Sequence, residues 1–117
     1  MSHLVRRSSV QPLQPIACGL MRKLISASDF PNLDIALVAI TGRTKKHFHR
    51  IATEFYYVIS GSIRIEVDGT TKDLLPGSLL MIRPNTAHQA VRKSKGVAQV
   101  LVISSPPWQA NDEIFVE

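Results

Sequence analysis

Apolar and polar residues alternate with a period of two along most of this chain, and helical periodicity is nearly absent. In residues 62–69 every second side chain is apolar, and the segment ends in Asp68-Gly69, a strong signal for a two-residue hairpin turn. Residues 70–75 supply the return strand, which Pro76-Gly77 ends. Because a period of two is the repeat of a strand, the pattern predicts an all-β fold.

The length and the spacing of the turns limit the architecture further. A chain of 117 residues is long enough for one domain and one core. Turn residues recur roughly every 6–12 positions, which is typical of an antiparallel sandwich or barrel. Further strands are predicted over residues 22–27, 34–41, 54–60, 79–82, 88–92 and 97–104. We predict an N-terminal arm over residues 1–20, partly disordered, and a barrel over residues 21–117, in which residues 114–116 form either a ninth edge strand or a surface strap.

Composition argues against several classes of partner. The longest uninterrupted apolar run, Ile35–Ile40, is far shorter than the ~20 residues of a membrane helix, so no membrane association is expected. The net charge is +5 and the pI is near 9.8, but no nucleic-acid-binding motif accompanies them, and we expect no nucleic-acid partner. Cys18 is the only cysteine, which excludes an intramolecular disulfide and fits a reducing, cytoplasmic environment.

Three of the four histidines lie within the β pattern, together with one glutamate. His47 and His49 project from the same face of a strand, because strand side chains repeat every two residues. Glu54 begins the next strand and His88 begins a later one. Imidazole and carboxylate groups both bind borderline divalent metals, and three nitrogens with one oxygen form an incomplete shell with room for water or substrate.

These residues resemble the two signature motifs of the cupin superfamily. In the first motif, Gly42 precedes His47-Phe48-His49, and Glu54 and Gly61 follow at the spacings of the family. The interval between Gly42 and His47 is one residue shorter than usual, which alters a loop but not the face on which the histidines project.

The second motif matches in spacing and departs in detail. Gly77 and His88 keep the separation of the family. Pro84 comes one position late, Asn85 replaces a glycine, and Arg92 replaces the final asparagine. Asparagine tolerates a left-handed turn, so its substitution is mild. Arg92 shares strand parity with His88 and is predicted to face the same interior, where it would bind an anionic substrate.

The resemblance implies a cupin-type jelly-roll β-barrel of two antiparallel sheets. It also implies one divalent transition metal (iron, manganese, nickel or zinc) bound by His47, His49, Glu54 and His88. Small cupins are often dimers, and unpaired strand edges favour association, so a homodimer is expected.

Fold does not determine function, and cupins include dioxygenases, isomerases, lyases and plain ligand binders. We expect a metalloenzyme acting on a small anionic or oxygenated metabolite, with Tyr56 and Arg92 orienting the substrate. Tyr56 shares strand parity with Glu54, although aromatic packing is the alternative role for its ring. The alternative functions are a sugar- or metabolite-binding protein without turnover and a sugar-nucleotide enzyme without metal.

Overall fold

The alternating pattern folds into two antiparallel sheets that face each other, as the computed structural model shows for residues 3–116. The strands of this described part are β1 (Gln14–Ile16), β2 (Gly19–Ile25), β3 (Asp34–Ile40), β4 (His47–His49), β5 (Thr53–Ser60), β6 (Ile63–Val67), β7 (Thr70–Leu74), β8 (Leu79–Ile82), β9 (His88–Arg92), β10 (Ala98–Ser105) and β11 (Glu113–Phe115). Short 3₁₀ turns occupy Ser8–Val10 and Ala110–Asp112.

The order of the strands is that of a jelly roll. The six-stranded sheet has the order β1-β2-β3-β10-β5-β8, and the five-stranded sheet has the order β11-β4-β9-β6-β7. Neighbouring strands in each sheet are often distant in sequence, since the chain crosses repeatedly between the sheets. The predicted all-β jelly-roll fold is confirmed.

The core lies between the two sheets. Along Asp34–Ile40 every second residue is buried, although Ile35–Ile40 is an uninterrupted apolar run in the sequence. Val58 and Val100 from one sheet and Ile63 and Ile65 from the other have no exposed surface. Burial of such side chains stabilises the fold by about 1.5–3 kcal/mol each.

The hairpin predicted from Asp68-Gly69 joins β6 to β7, with Val67 opposite Thr70. Asp68 has a φ of 51°, the left-handed conformation that a tight primed turn requires.

Both ends of the chain add strands to the sheets. Residues 14–16 of the predicted arm pair with β2, so the predicted boundary at residue 21 falls inside a hairpin. The Arg22 guanidinium binds the backbone carbonyls of Ser8 and Gln11. The C-terminal segment forms an edge strand, β11, which pairs with β4. Met1, Ser2 and Glu117 lie outside the described residues.

The described part of the chain contains no helix long and apolar enough to cross a membrane.

Two glycines with positive φ provide a test of the packing between β5 and β10. A Cβ added at Gly61 (φ +71°) would lie 2.8 Å from the Ala98 Cα, whereas one added at Gly77 (φ +89°) meets nothing within 4 Å. Gly77→Ala should therefore lower the free energy of unfolding by about 1–2 kcal/mol, the cost of a left-handed Cβ. Gly61→Ala should cost about 1–3 kcal/mol more through overpacking. Equal midpoints of the two variants in urea unfolding would contradict the tight contact at Gly61.

Candidate metal centre

The short strand β4 places two imidazoles on the inner wall of the barrel. His47 and His49 are 6% and 3% exposed, and Phe48 between them faces the other way. His47 lies opposite His88 of the neighbouring strand β9, and His88 is 1% exposed. Three imidazoles from the five-stranded sheet therefore share one buried region.

A carboxylate reaches this region from the opposite sheet. Glu54 projects inward from β5 and is 7% exposed. Its Oε1 lies 3.2 Å from the His49 Nε2 and 3.3 Å from the His88 Nε2. One potential ligand atom from each of His47, His49, Glu54 and His88 can be chosen so that all four lie within 4.8 Å of one another.

Backbone carbonyls orient two of the rings. The His47 Nδ1 is 2.7 Å from the Lys45 carbonyl oxygen, and the His88 Nδ1 is 2.9 Å from the Thr86 carbonyl oxygen. Because a carbonyl only accepts, each Nδ1 carries the proton and each Nε2 keeps its lone pair for the interior. Metal-binding imidazoles are typically held in this way.

Within residues 3–116, several atoms in the cluster have no hydrogen-bond partner. They are both ring nitrogens of His49, the Oε1 of Glu54 and the Nε2 of His88. The short contacts of Glu54 with His49 and His88 therefore bring polar atoms together without hydrogen-bond geometry. More than nine in ten buried polar groups in proteins are satisfied, so a concentration of unsatisfied nitrogen and oxygen atoms requires an explanation. A cation among these four residues would supply it, and the donor set fits a divalent transition metal.

The charge states of the cluster also suit a cation. Burial alone would raise the pKa of Glu54, but the imidazoles of His49 and His88 hold it at about 2. Burial lowers the pKa of His47 below its ordinary value. For His49 burial acts in the same direction, but the Glu54 carboxylate outweighs it and raises the pKa. At neutral pH the site thus offers an ionised carboxylate and a neutral His47.

A cavity of about 490 Å³ adjoins the cluster. His47, His49 and Glu54 form part of its wall, and much of the remainder is aliphatic: Ile16, Met21, Ala36, Val38, Ile40, Ala90 and Val102. Tyr56 also lines the cavity, with its ring edge-on to His88 at 6.3 Å between centroids. Burial raises the pKa of Tyr56 well above its usual value, so its hydroxyl stays protonated. A small molecule bound here would lie against the candidate metal ligands.

A family model for the cupin domain matches residues 36–104, more than half of the chain. The chain belongs to the cupin family.

Known proteins share this cupin fold along most of the chain. MJ1618, an uncharacterised protein of Methanocaldococcus jannaschii, is 26% identical over 82 residues, which span 70% of this chain and 66% of that protein, just under two thirds of its length. A protein structure from Planctomyces limnophilus has a TM-score of 0.85 at 25% identity and covers 98% of this chain and 97% of its own. The polyketide cyclase RemF from Streptomyces resistomycificus has a TM-score of 0.82 at 20% identity and covers 100% and 87%. Proteins similar in fold to this cupin thus include enzymes.

Arg92 does not line the cavity of this cupin, whereas His47, His49, Glu54 and Tyr56 do. It lies opposite Ile63 at the far end of β9, and its backbone N–H donates to the Gly42 carbonyl. Arg92 and His88 share parity as predicted, but four residues of strand separate them by roughly 13 Å along the barrel. Strand parity determines the face from which a side chain projects, but not its position along the strand. This placement therefore gives no support to the expectation that Arg92 binds the substrate.

Glu113 lies beside the cluster, although no pattern in the sequence assigns it a role. Strand β11 pairs with β4 and sets Glu113 opposite His49. The Glu113 Oε1 is 3.5 Å from the His47 Nε2, and the side chain lines the cavity. The sequence contains Asp112-Glu113, but it does not show that the strand beginning at Glu113 pairs with β4.

Asp112 holds the loop between two candidate ligands. Its carboxylate accepts hydrogen bonds from the backbone N–H groups of Ile51 (2.8 Å) and Ala52 (3.1 Å). These residues connect His49 to Glu54. The C-terminal segment therefore fixes the positions of both side chains.

Removal of one imidazole should empty the centre and leave the barrel folded. We expect His49→Ala to lower the metal content of purified protein by about tenfold or more, since three ligands remain of four. The neighbouring exposed residue gives a matched control, and Arg50→Ala should keep the metal content of the wild type. Elemental analysis by mass spectrometry measures both.

Two results would contradict this assignment. One is full metal retention in folded His49→Ala protein, with circular dichroism as the check on folding. The other is a wild-type protein that carries no first-row metal and takes none up on incubation.

Proposed function

We propose that this cupin is a cytoplasmic, metal-dependent enzyme that acts on a small anionic or oxygenated metabolite. The observation that carries the proposal is the group of buried, unsatisfied nitrogen and oxygen atoms on the wall of a cavity of about 490 Å³. A structural metal site would be closed, whereas this one borders space for a ligand.

His47, His49, Glu54 and His88 would bind the metal. Three nitrogens and one carboxylate serve iron, manganese, nickel and zinc alike, so the donor set alone does not select among them. When bound, the metal supplies Lewis acidity, and iron also gives access to dioxygen chemistry. Dioxygenase, isomerase and lyase reactions all fall within this range.

The protein residues would bind and orient the substrate. Tyr56 presents a protonated hydroxyl group to the cavity and would donate a hydrogen bond to a substrate oxygen. Glu113 adds a second carboxylate beside His47. The aliphatic wall excludes water and strengthens these polar contacts, because electrostatic interactions grow as the local dielectric falls.

A screen for turnover tests the proposal. Metal-loaded protein is incubated with a panel of small hydroxy acids, keto acids and enols, and products are followed by mass spectrometry. We expect turnover that His49→Ala abolishes. Tyr56→Phe should lower kcat by about 10²-fold or more if the hydroxyl acts in the transition state.

The adjacent tyrosine is the matched control, since Tyr57 faces away from the cavity and is 41% exposed. Tyr57→Phe should keep the wild-type rate. A ligand that binds to the metal-loaded protein but leaves it unchanged would favour the alternative, a small-molecule-binding cupin. Equal rates in the two Phe variants would remove Tyr56 from the mechanism.

We also propose that the enzyme is a homodimer that associates through the outer face of the six-stranded sheet. Two rows of apolar side chains cross this face in register, one from Leu37 to Leu79 and one from Ile35 to Met81. Their members are Ile35, Leu37, Phe55, Tyr57, Leu79, Met81, Leu101 and Ile103. The exposed fractions of Leu79 and Met81 are 64% and 43%. Tyr57 is 41% exposed, and the other five side chains of the two rows are half-buried. Apolar surface that remains in contact with water in this way marks an interaction site.

A second copy of the chain fits this face better than a charged partner does. None of the eight side chains carries a charge at neutral pH, so these side chains of two copies meet without like-charge repulsion. The outer face of the other sheet, in contrast, carries charged side chains such as Arg64 and Glu66. Twofold symmetry brings identical patches together, and cyclic dimers are the commonest soluble oligomers.

Light scattering after size exclusion tests the dimer. The wild type should have twice the 13.0 kDa mass of one chain. Leu79→Asp should give a folded monomer, because the side chain is exposed on the isolated chain. Lys95→Asp, in an exposed turn, should stay dimeric. A monomeric wild type, or a dimer that survives Leu79→Asp, would contradict the proposed interface.

A further inference from the structure

We infer that the cavity contains a second polar site, formed by Lys23 and Asp34, that binds a carboxylate group of the ligand at a distance from the metal centre. This inference deepens the proposed function, because it names an acidic group on the substrate. It replaces Arg92 with a cation that does line the cavity.

The second site lies on the same inner face as Glu54. Asp34 on β3 is directly opposite Ser104 on β10, which is directly opposite Glu54 on β5. All three are buried, with exposed fractions of 5%, 2% and 7%. Adjacent strands are about 4.8 Å apart, so the backbones at Asp34 and Glu54 are separated by roughly 10 Å. A small molecule can span the space between the two groups.

Asp34 is fixed by two hydrogen bonds that leave one oxygen free. The Lys23 Nζ lies 3.2 Å from the Asp34 Oδ2, and the Trp108 backbone N–H donates to the same oxygen at 2.9 Å. Within residues 3–116 the Oδ1 has no hydrogen-bond partner, and Asp34 lines the cavity. The Ser104 hydroxyl donates to the Pro106 carbonyl and does not occupy it. The Oδ1 can thus accept a hydrogen bond from a ligand.

Lys23 retains donors for an anion. Its ammonium group has three N–H donors, of which Asp34 uses one, and its side chain is 32% exposed and lines the cavity. The register of β2 against β3 shifts by one residue between Lys23 and Ile25. Such irregularities are common beside active sites, where they redirect a side chain.

The cavity wall beside the two sites indicates the class of ligand. Met21, Ala36 and Val102 line the same cavity as Lys23 and Asp34. A lysine and an aspartate placed in such a wall lose hydration, a cost that an apolar pair would avoid. The ligand that fits has an oxygen donor for the metal, an apolar middle and a carboxylate for Lys23, with a hydroxyl or amine group for Asp34.

Trp108 provides a readout that does not depend on activity. It is the only tryptophan of the chain, it lines the cavity, and its backbone N–H donates a hydrogen bond to the Asp34 carboxylate. Hexanoate and hexanamide serve as probes of equal size that differ in charge. In chelator-treated, metal-free protein, we expect hexanoate to change the Trp108 fluorescence and hexanamide to bind about tenfold or more weakly.

Matched lysine variants identify the site. Lys45 also lines the cavity, but it is exposed at the mouth, with its Nζ 5.8 Å from the centre of the Phe115 ring. Lys23→Met should remove the preference for hexanoate, and Lys45→Met should keep it. If Lys23→Met does not fold, the double variant Lys23→Met with Asp34→Asn removes both charges and allows the same comparison of hexanoate with hexanamide. Lys23→Arg retains the positive charge and should keep the preference for hexanoate.

Each result decides the inference. Equal binding of hexanoate and hexanamide to the wild type, or a preference that survives the loss of Lys23, would overturn it. Because the titration is made without metal, a failure of the metal-dependent function leaves this result unchanged. Conversely, a metal-loaded enzyme that turns over acidic substrates in the Lys23→Met variant as fast as in the wild type would overturn the acidic-substrate inference alone.

Discussion

The contact of the Glu54 carboxylate with the imidazoles of His49 and His88 joins the two sheets across the interior of the barrel. A carboxylate that is 7% exposed loses most of its hydration, and the imidazoles of His49 and His88 offset that loss at 3.2–3.3 Å, without hydrogen-bond geometry. A dication would satisfy all of these atoms together. Strands β4 and β9 face β5 across the barrel, and this packing brings the three imidazoles and the Glu54 carboxylate together.

The faces of the strands and the main turn could be predicted from the sequence, because both are local properties. The alternation from Ser62 to Glu66 appears in the structure as the burial of Ile63 and Ile65, and Asp68-Gly69 forms the turn between β6 and β7. The common face of His47 and His49 follows from the same period of two. Their meeting with Glu54 and His88 does not follow from periodicity. It was predicted through the resemblance to cupins, whose motifs encode the pairing of distant strands.

What the sequence could not predict depends on non-local register and depth. Arg92 has the parity of His88, yet it lies at the other end of β9, opposite Ile63. Glu113 reaches the cluster only because β11 pairs with β4, and an alternating pattern contains no information on which edge a terminal strand will join. Lys23 and Asp34 look like ordinary surface charges in the sequence, and their position in the cavity wall becomes visible only once β2, β3 and β10 are aligned.

The inner face of the six-stranded sheet thus carries a row of polar residues, Asp34, Ser104 and Glu54, in a core that is otherwise largely aliphatic. Apolar residues at these positions would pack more favourably, because buried ionic groups seldom stabilise a fold. The same sheet is apolar on its outer face, where water would favour polar side chains. Both faces therefore depart from the pattern expected of a sheet with one solvated side. A chain that folded only for stability would have no reason for either departure, whereas the proposed ligand inside and the proposed second copy outside would account for both.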